Sequence, residues 1–224
     1  MPYAGATDFT QYERWEPDHS FSSDDTAEIE RLIAAAQMHV DNYTYRTFEY
    51  LNSTDTPATT FDSANFTTDL TSSDVKKFHT YEDVDGSCLI LQQDLSFVSL
   101  VVNGDGVTVS DTEYVTRSYN PKGAPIHELV LLGSANKEWD VSTDNDPEDA
   151  IKVVGAWSYS TSPDATIVQQ TIRLASWMKK QRSTGADNDR PVITPSGLTI
   201  MPGSLPADVV GALAPYRLVE DAFI

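Results

Sequence analysis

The sequence predicts an α+β fold: a helical core of N-terminal, long central and short C-terminal helices, with a small antiparallel β-sheet or barrel inserted into it. Three observations predict it. Ile151–Arg182 reads as a buried strand, a tight corner and a long helix. Residues 24–46 carry apolar side chains at helical spacing. Between them, about residues 77–158, lie six or seven short apolar runs separated by turn signals.

The strand of the first segment starts at Ile151, Val153 and Val154 and runs into Gly155-Ala156-Trp157-Ser158-Tyr159. Ser162 stands where an N-cap should, and Pro163 takes the first helical position, where a missing N–H costs nothing. Asp164 sets a negative charge at the positive end of the helix dipole, and Lys179, Lys180 and Arg182 complement the other end. The helix carries Ile167, Val168, Ile172, Leu174, Ala175 and Met178, with Trp177 beside them. That set is wider than one face, so the helix is buried on more than one side. A central helix inside one chain and a helix shared with a second subunit both fit, and the subunit-interface candidates are Ile167, Val168, Ile172, Trp177 and Met178.

The first helix opens at Asp24 and Asp25, with Glu28 three residues after Asp25 in the manner of a capping box. Ile29, Leu32, Ile33, Ala36, Val40 and Tyr43 follow, and the helix closes near Tyr45–Tyr50. Residues 1–22 precede it as an N-terminal arm, with Tyr3, Phe9, Tyr12, Trp15 and Phe21 at no regular spacing. They read either as a poorly ordered tail or as an arm whose aromatics anchor on a neighbour.

Residues 52–76 form a polar connection bearing Pro57, Phe61 and Phe66. The strand runs are Phe78–Val84, Cys88–Leu91, Phe97–Val102, Val107–Val109, Tyr114–Arg117 and Glu128–Leu132. Asp85-Gly86, Asn103-Gly104-Asp105-Gly106 and Asn120-Pro121-Lys122-Gly123 are the turns. Ser183–Ser204 is a long polar segment with apolar pieces at Val192-Ile193 and Ile200-Met201. Pro206 starts a final helix that Pro215 limits, and the chain ends in Phe223-Ile224. Residues 23–224 are expected to form one domain with a C-terminal segment at about 205–224.

The 224 residues carry 34 acidic and 15 basic side chains, a net charge of −19. Such a surface repels nucleic acid rather than wrapping it. The acidity fits a host living in high salt, or a passage that must not stick to DNA, or both. One cysteine, Cys88, excludes an internal disulfide framework and suits a reducing compartment. No apolar run reaches the length of a membrane span, and the N-terminus lacks the pattern of a signal peptide. The sequons at Asn42, Asn52 and Asn65 are then chance matches in a threonine-rich chain.

Catalytic patterns are missing. His127-Glu128 begins a His-Glu-x-x-His motif, but Leu131 stands at the second histidine. His19, His39, His79 and His127 are scattered, and structural or solvated roles fit each. The acid groups Asp83/Asp85, Asp144/Asp146/Glu148/Asp149 and Asp187/Asp189 could hold calcium. Counting from Asp144, however, places Asp149 and Gly155 where a calcium loop needs glycine and glutamate. Neither a cofactor nor a metal is expected. Lys179, Lys180 and Arg182 fit charge pairing at a helix end better than phosphate contact.

Three motifs in order carry a resemblance: Tyr45-Arg46-Thr47-Phe48 closing the first helix; Val153-Val154-Gly155-Ala156-Trp157-Ser158-Tyr159-Ser160-Thr161-Ser162-Pro163-Asp164 entering the long one; and Leu205-Pro206-Ala207-Asp208-Val209-Val210-Gly211-Ala212-Leu213-Ala214-Pro215-Tyr216-Arg217 near the end. In this order they resemble the head–tail connector (adaptor) proteins of long-tailed double-stranded DNA viruses, over roughly residues 24–50 and 150–219. Ser158 departs from the glycine common there.

The resemblance implies a structural virion protein, made in the host cytoplasm, with no catalysis. It implies a ring, usually of twelve copies, beneath the portal at the capsid vertex. The ring extends the DNA channel, through which the genome passes without sequence-specific binding, and offers a platform for stopper, head-completion or tail proteins. The matching portal-contact residues are Leu213, Tyr216 and Arg217, and the apolar Phe223 and Ile224 fit a buried tail. The rival classes are an extracellular or surface β-rich binding module, with or without calcium dependence, and a small hydrolase.

Overall fold

The structure, a computed structural model, describes residues 3–13, 22–50, 74–118, 125–183, 192–193, 199–200 and 205–218. Residues 52–73 of the connection expected at 52–76, the turn at Asn120–Gly123, Asp187, Asp189, Phe223 and Ile224 lie outside the described residues, as do His19, Trp15 and Phe21. The end of that connection, Val75 and Lys76, is strand rather than polar link. The chain divides into two compact units. Thr47–Ser162 forms a β unit, while Pro2–Arg46 and Pro163–Ile224 form a helical unit. The α+β class with a sheet region inserted into a helical core is therefore observed.

The helical unit holds α1 (Ala6–Tyr12), α2 (Ser23–Thr44), α3 (Ala165–Ser183) and α4 (Ala207–Leu213). Ile29, Leu32, Ile33, Ala36 and Val40 are the buried stripe of α2, as its periodicity predicts. Its cap falls one turn earlier than expected. Ser22 is the N-cap and accepts from the Asp25 N–H at 3.2 Å, while the Asp25 carboxylate accepts from the Ser22 N–H at 3.2 Å. This reciprocal box needs Ser22 rather than Asp25 as its first member, because the serine is the residue with extended backbone.

Helix α3 also differs at its start. Asp164, not Ser162, caps it: its Oδ1 accepts from the Ile167 N–H at 3.0 Å and its carbonyl from the Val168 N–H at 3.0 Å. Pro163 thus precedes the cap. α3 meets α1, α2 and α4 within its own unit. Three helical neighbours account for an apolar circumference wider than one face.

Helix α1 was not legible as a helix. Its seven residues carry one apolar anchor, Phe9, which is fully buried, and Tyr3 and Ala4 just before it are buried too. Periodicity needs a longer run to show. Its start is held by the Asp8 carboxylate, which accepts from the Gly5 N–H at 2.8 Å.

Among the described residues the β unit contains eight strands: β1 (Val75–Phe78), β2 (Val84–Asp85), β3 (Cys88–Leu95), β4 (Phe97–Val102), β5 (Thr108–Val109), β6 (Tyr114–Arg117), β7 (Ile126–Leu131) and β8 (Ile151–Ala156). The expected Phe78–Val84 strand is two strands joined by a turn. The strands form two four-stranded antiparallel sheets, ordered β1-β8-β4-β5 and β2-β3-β7-β6. One core serves both sheets: Phe78, Val101, Ile151 and Val153 come from the first, Leu89, Leu91, Leu95 and Leu129 from the second, with Trp139 from a loop. Only Ser96 separates β3 from β4, so the chain steps between sheets there, and Ser96 donates its N–H to the Ala156 carbonyl at 2.8 Å. The Asn103–Gly106 turn forms as its sequence predicts, with Gly106 at φ 80 and its N–H on the Asn103 carbonyl at 2.9 Å.

Beyond α3, β9 (Val192–Ile193) and β10 (Thr199–Ile200) pair antiparallel. A two-stranded ribbon thus lies at the apolar pieces of the long polar segment. Among the described residues no helix is long and apolar enough to cross a membrane.

Candidate functional site

The C-terminal segment 205–218 crosses the ends of two helices of its own unit. Val209 and Leu213 are buried, and Asp208 pairs with Arg173 of α3. Pro215 sits inside a 3-10 turn, Ala214–Tyr216, that continues α4. The Tyr216 Oη donates to Asp164 Oδ2 at 2.6 Å, while the other oxygen of Asp164 caps α3. The Arg217 guanidinium lies 5.7 Å from the centre of the Tyr45 ring. The Leu218 N–H donates to the Thr44 carbonyl at 2.8 Å, satisfying one of the terminal acceptors of α2.

Of the expected contact residues, Leu213 is fully buried, Tyr216 half-buried and Arg217 exposed. Tyr216 and Arg217 therefore present surface, and Leu213 anchors the segment from behind. On α3, Ile167 and Ile172 are buried by the chain itself, while Val168, Trp177 and Met178 are half-buried and keep an outward face. Sequence periodicity marks all five as apolar but cannot tell which the chain covers.

Lys179 and Lys180 point to Glu13, with Nζ to carboxylate distances of 3.6 and 3.7 Å, and Ser176 also donates to Glu13. Lys179 lies 5.4 Å from the Phe9 ring centre. Charge pairing at the helix end is what these lysines do; the side chain of Arg182 lies outside the described residues. The sequence missed Glu13 as their partner because that contact joins opposite ends of the chain. On α2, the Tyr3 Oη donates to Asp41 Oδ1 at 2.6 Å. Burial pushes the Asp41 carboxyl up to about 6, against a lowering by the Tyr3 hydroxyl.

The Gly155–Ser160 corner of the β unit has structural uses for its glycine, tryptophan and serine. A Cβ on Gly155 would fall on the Phe97 carbonyl and the Leu95 side chain, so only glycine fits. The Trp157 Nε1 donates to the Asp74 carbonyl at 2.8 Å, and its ring lies 5.9 Å from that of Phe78. Ser158 is buried and donates to the Ser160 carbonyl at 2.7 Å, which gives its hydroxyl a use where glycine would have none.

Three of the candidate acids, Asp83, Asp146 and Asp149, are engaged locally. Asp83 accepts from the His79 N–H at 2.7 Å and from the Gln92 side chain at 2.8 Å. Asp149 pairs with Lys77 at 2.9 Å, and Asp146 accepts from the Glu148 N–H at 3.0 Å. His79 Nδ1 accepts from the Tyr81 and Glu82 N–H groups at 3.1 and 3.0 Å, closing a turn. His127 is buried, with Nε2 3.9 Å from Asp94 Oδ1. Burial, with Glu128 adding to it, pushes the Cys88 thiol up to about 11, which disfavours the nucleophilic thiolate. Among the described residues no group of three or more His, Cys, Asp and Glu side chains is placed to hold a metal ion.

What fold and surface define together is an α+β scaffold, a two-sheet unit inserted between two long helices, that offers contact faces. The same fold occurs in a chain of the neck of an empty GTA particle, computed with C6 symmetry. The match covers 98% of this chain and 90% of that one at 13% identity, with a TM-score of 0.51. A chain from the virion of a native gene transfer agent (GTA) particle matches over 98% and 90% at 14% identity, with a TM-score of 0.43 that carries no argument. No family model and no curated protein sequence matches the chain.

Proposed function

We propose that the chain is a structural neck protein of a phage-like virion: a head–tail adaptor that assembles as a ring below the portal, extends the DNA channel and gives stopper or tail proteins a platform. The observation that carries this is the fold shared along almost the whole chain with a neck component of a GTA particle. The three sequence motifs in connector order support it independently.

Within this reading Tyr216 and Arg217 contact the portal from the segment that Leu213 anchors, and Phe223 and Ile224 continue that contact. Val168, Trp177 and Met178 supply the outward apolar face of α3 for the neighbouring copy, with Ile167 and Ile172 packing behind them. Twelve copies is the ring size that the resemblance implies. The acidity also fits. Thr47–Ser162 holds 19 acidic and 6 basic residues, so most of the net −19 belongs to the β unit. A channel lined with that charge repels phosphate and lets DNA slide. A halophilic host would add to the same bias.

The test is light scattering on size-exclusion chromatography, at low and high salt, with the chain alone and mixed with the portal protein of the same particle. A ring-sized species containing both proteins is expected. A chain that stays monomeric beside portal at every salt concentration overturns the reading. Deleting residues 219–224 separates docking from folding, because Tyr216 and Leu218 are hydrogen-bonded into the helical unit and a longer deletion would disturb it.

A further inference from the structure

The strap 205–218 ends beside an oddity. Tyr45 closes α2 in the left-handed region, at φ 55 and ψ 32. That position favours glycine, then asparagine, because a Cβ crowds the neighbouring carbonyl there. The other described non-glycine residues with positive φ are Asn136, Asn145 and Asp149, types that tolerate the region. Tyr45 is the aromatic exception, and burial does not compensate it: the residue is 66% exposed. A single exposed apolar side chain needs no explanation, but one held in strained backbone does.

The ring supports a cation. The Arg217 guanidinium lies 5.7 Å above it. The residues on either side of Arg217 are held, Tyr216 by its hydroxyl on the Asp164 carboxylate and Leu218 by its N–H on the Thr44 carbonyl. Arg217 is exposed and forms no ion pair with a described residue. Met38, 64% exposed, stands on α2 seven positions before Tyr45, about two helical turns. Tyrosine, arginine and methionine are the residues that interface centres favour. A guanidinium held beside a ring keeps N–H donors for a further partner, and its fork can take a carboxylate in two parallel hydrogen bonds.

We infer that Tyr45, Arg217 and Met38 form one docking surface, and that it receives a carboxylate-bearing segment of the portal. This rests on the neck reading and deepens it: Tyr45, on α2, joins the contact, and the chemistry of its partner is specified. Charge complementarity argues for that occupant, since Arg217 is a pre-placed, exposed cation with no ion pair among the described residues.

The test measures affinity for immobilised portal protein at fixed salt, with thermal unfolding in parallel, on the full chain. Tyr45→Gly relieves the backbone, so its Tm rises by a few degrees, while portal affinity falls about tenfold. Tyr45→Phe keeps the ring and binds as the wild type does. Arg217→Ala loses at least as much affinity as Tyr45→Gly. A Tyr45→Gly variant that binds with wild-type affinity overturns the inference and leaves the neck reading standing. So does one with a lowered Tm, because the ring would then be serving the fold. A wild-type chain with no affinity for portal overturns both.

Discussion

Phe48 and Tyr159 face each other with ring centroids 5.3 Å apart and planes at 55°, where the chain enters and leaves the β unit. Two hydrogen bonds flank them: the Tyr159 N–H donates to the Thr47 carbonyl at 2.7 Å, and the Ser160 hydroxyl to the Phe48 carbonyl at 2.9 Å. Two of the motifs that mark the sequence therefore meet in space. The aromatic end of Tyr45–Phe48 and the Trp157–Ser160 corner together close the base of the insert.

Phe48 is almost fully buried. Phe48→Ala should cost about 3–5 kcal/mol in denaturant unfolding. A double-mutant cycle with Tyr159→Ala should return a coupling of about 0.5–1.5 kcal/mol for the ring pair. Purely additive losses would mean that the flanking hydrogen bonds close the base without help from the rings.

Two glycines on the recognised motifs should behave oppositely. Gly155→Ala drives a methyl into the Phe97 carbonyl, which is backbone and cannot step aside, so it should leave little folded protein. Gly211, inside α4, has open space around its Cβ position. Gly211→Ala should raise stability by about 1 kcal/mol through helix propensity. Expression yield and circular dichroism melts decide the first, and equal tolerance of both would refute the close approach at Gly155.

Asp164 joins a helix cap to the strap through its two oxygens. Asp164→Ala should cost about 1–2 kcal/mol, as lost caps do. Tyr216→Phe should cost about 1 kcal/mol in the wild-type background and almost nothing after Asp164→Ala. An undiminished Tyr216→Phe effect in that background would show that the hydroxyl has another use.

The folded state holds the Asp41 carboxyl up to about 6, against an ordinary 3.8. Between those values the folded chain keeps a proton that the unfolded chain releases, so this group's contribution to stability falls as pH rises through that window and then levels off. Asp41→Asn still lets the Tyr3 hydroxyl donate, and removes the slope. At pH 7 the variant should be more stable than wild type by about 1 kcal/mol, after allowance for the solvent that reaches this half-buried group. Urea titrations across the window, at constant salt, give the difference. A gap that does not change with pH would show that Asp41 ionises normally.

Legibility followed distance along the chain. The stripe Ile29–Val40, the Asn103–Gly106 turn and the strand Phe97–Val102 were readable because each is specified within a few residues. Both helix starts were misplaced by two residues or more, because several serines and aspartates compete for each cap and only the backbone angles choose among them. Helix α1 was too short to declare a period. In the candidate surface, Tyr216 and Arg217 were readable from motif order. Tyr45 was not, because its peculiarity is a backbone angle.

The sequence alone determined that long capped helices flank a β-rich insert, that the surface is strongly acidic, and that no known catalytic pattern is present. These rest on composition, period and local hydrogen bonding. Only the tertiary structure decided how eight strands divide into two sheets, that Ile167, Ile172 and Leu213 face inward while Val168, Trp177 and Arg217 do not, and that Glu13 pairs with the lysines of α3. Each of those depends on which distant segments meet, and the helical and strand periods that shape a segment carry no information about its partner.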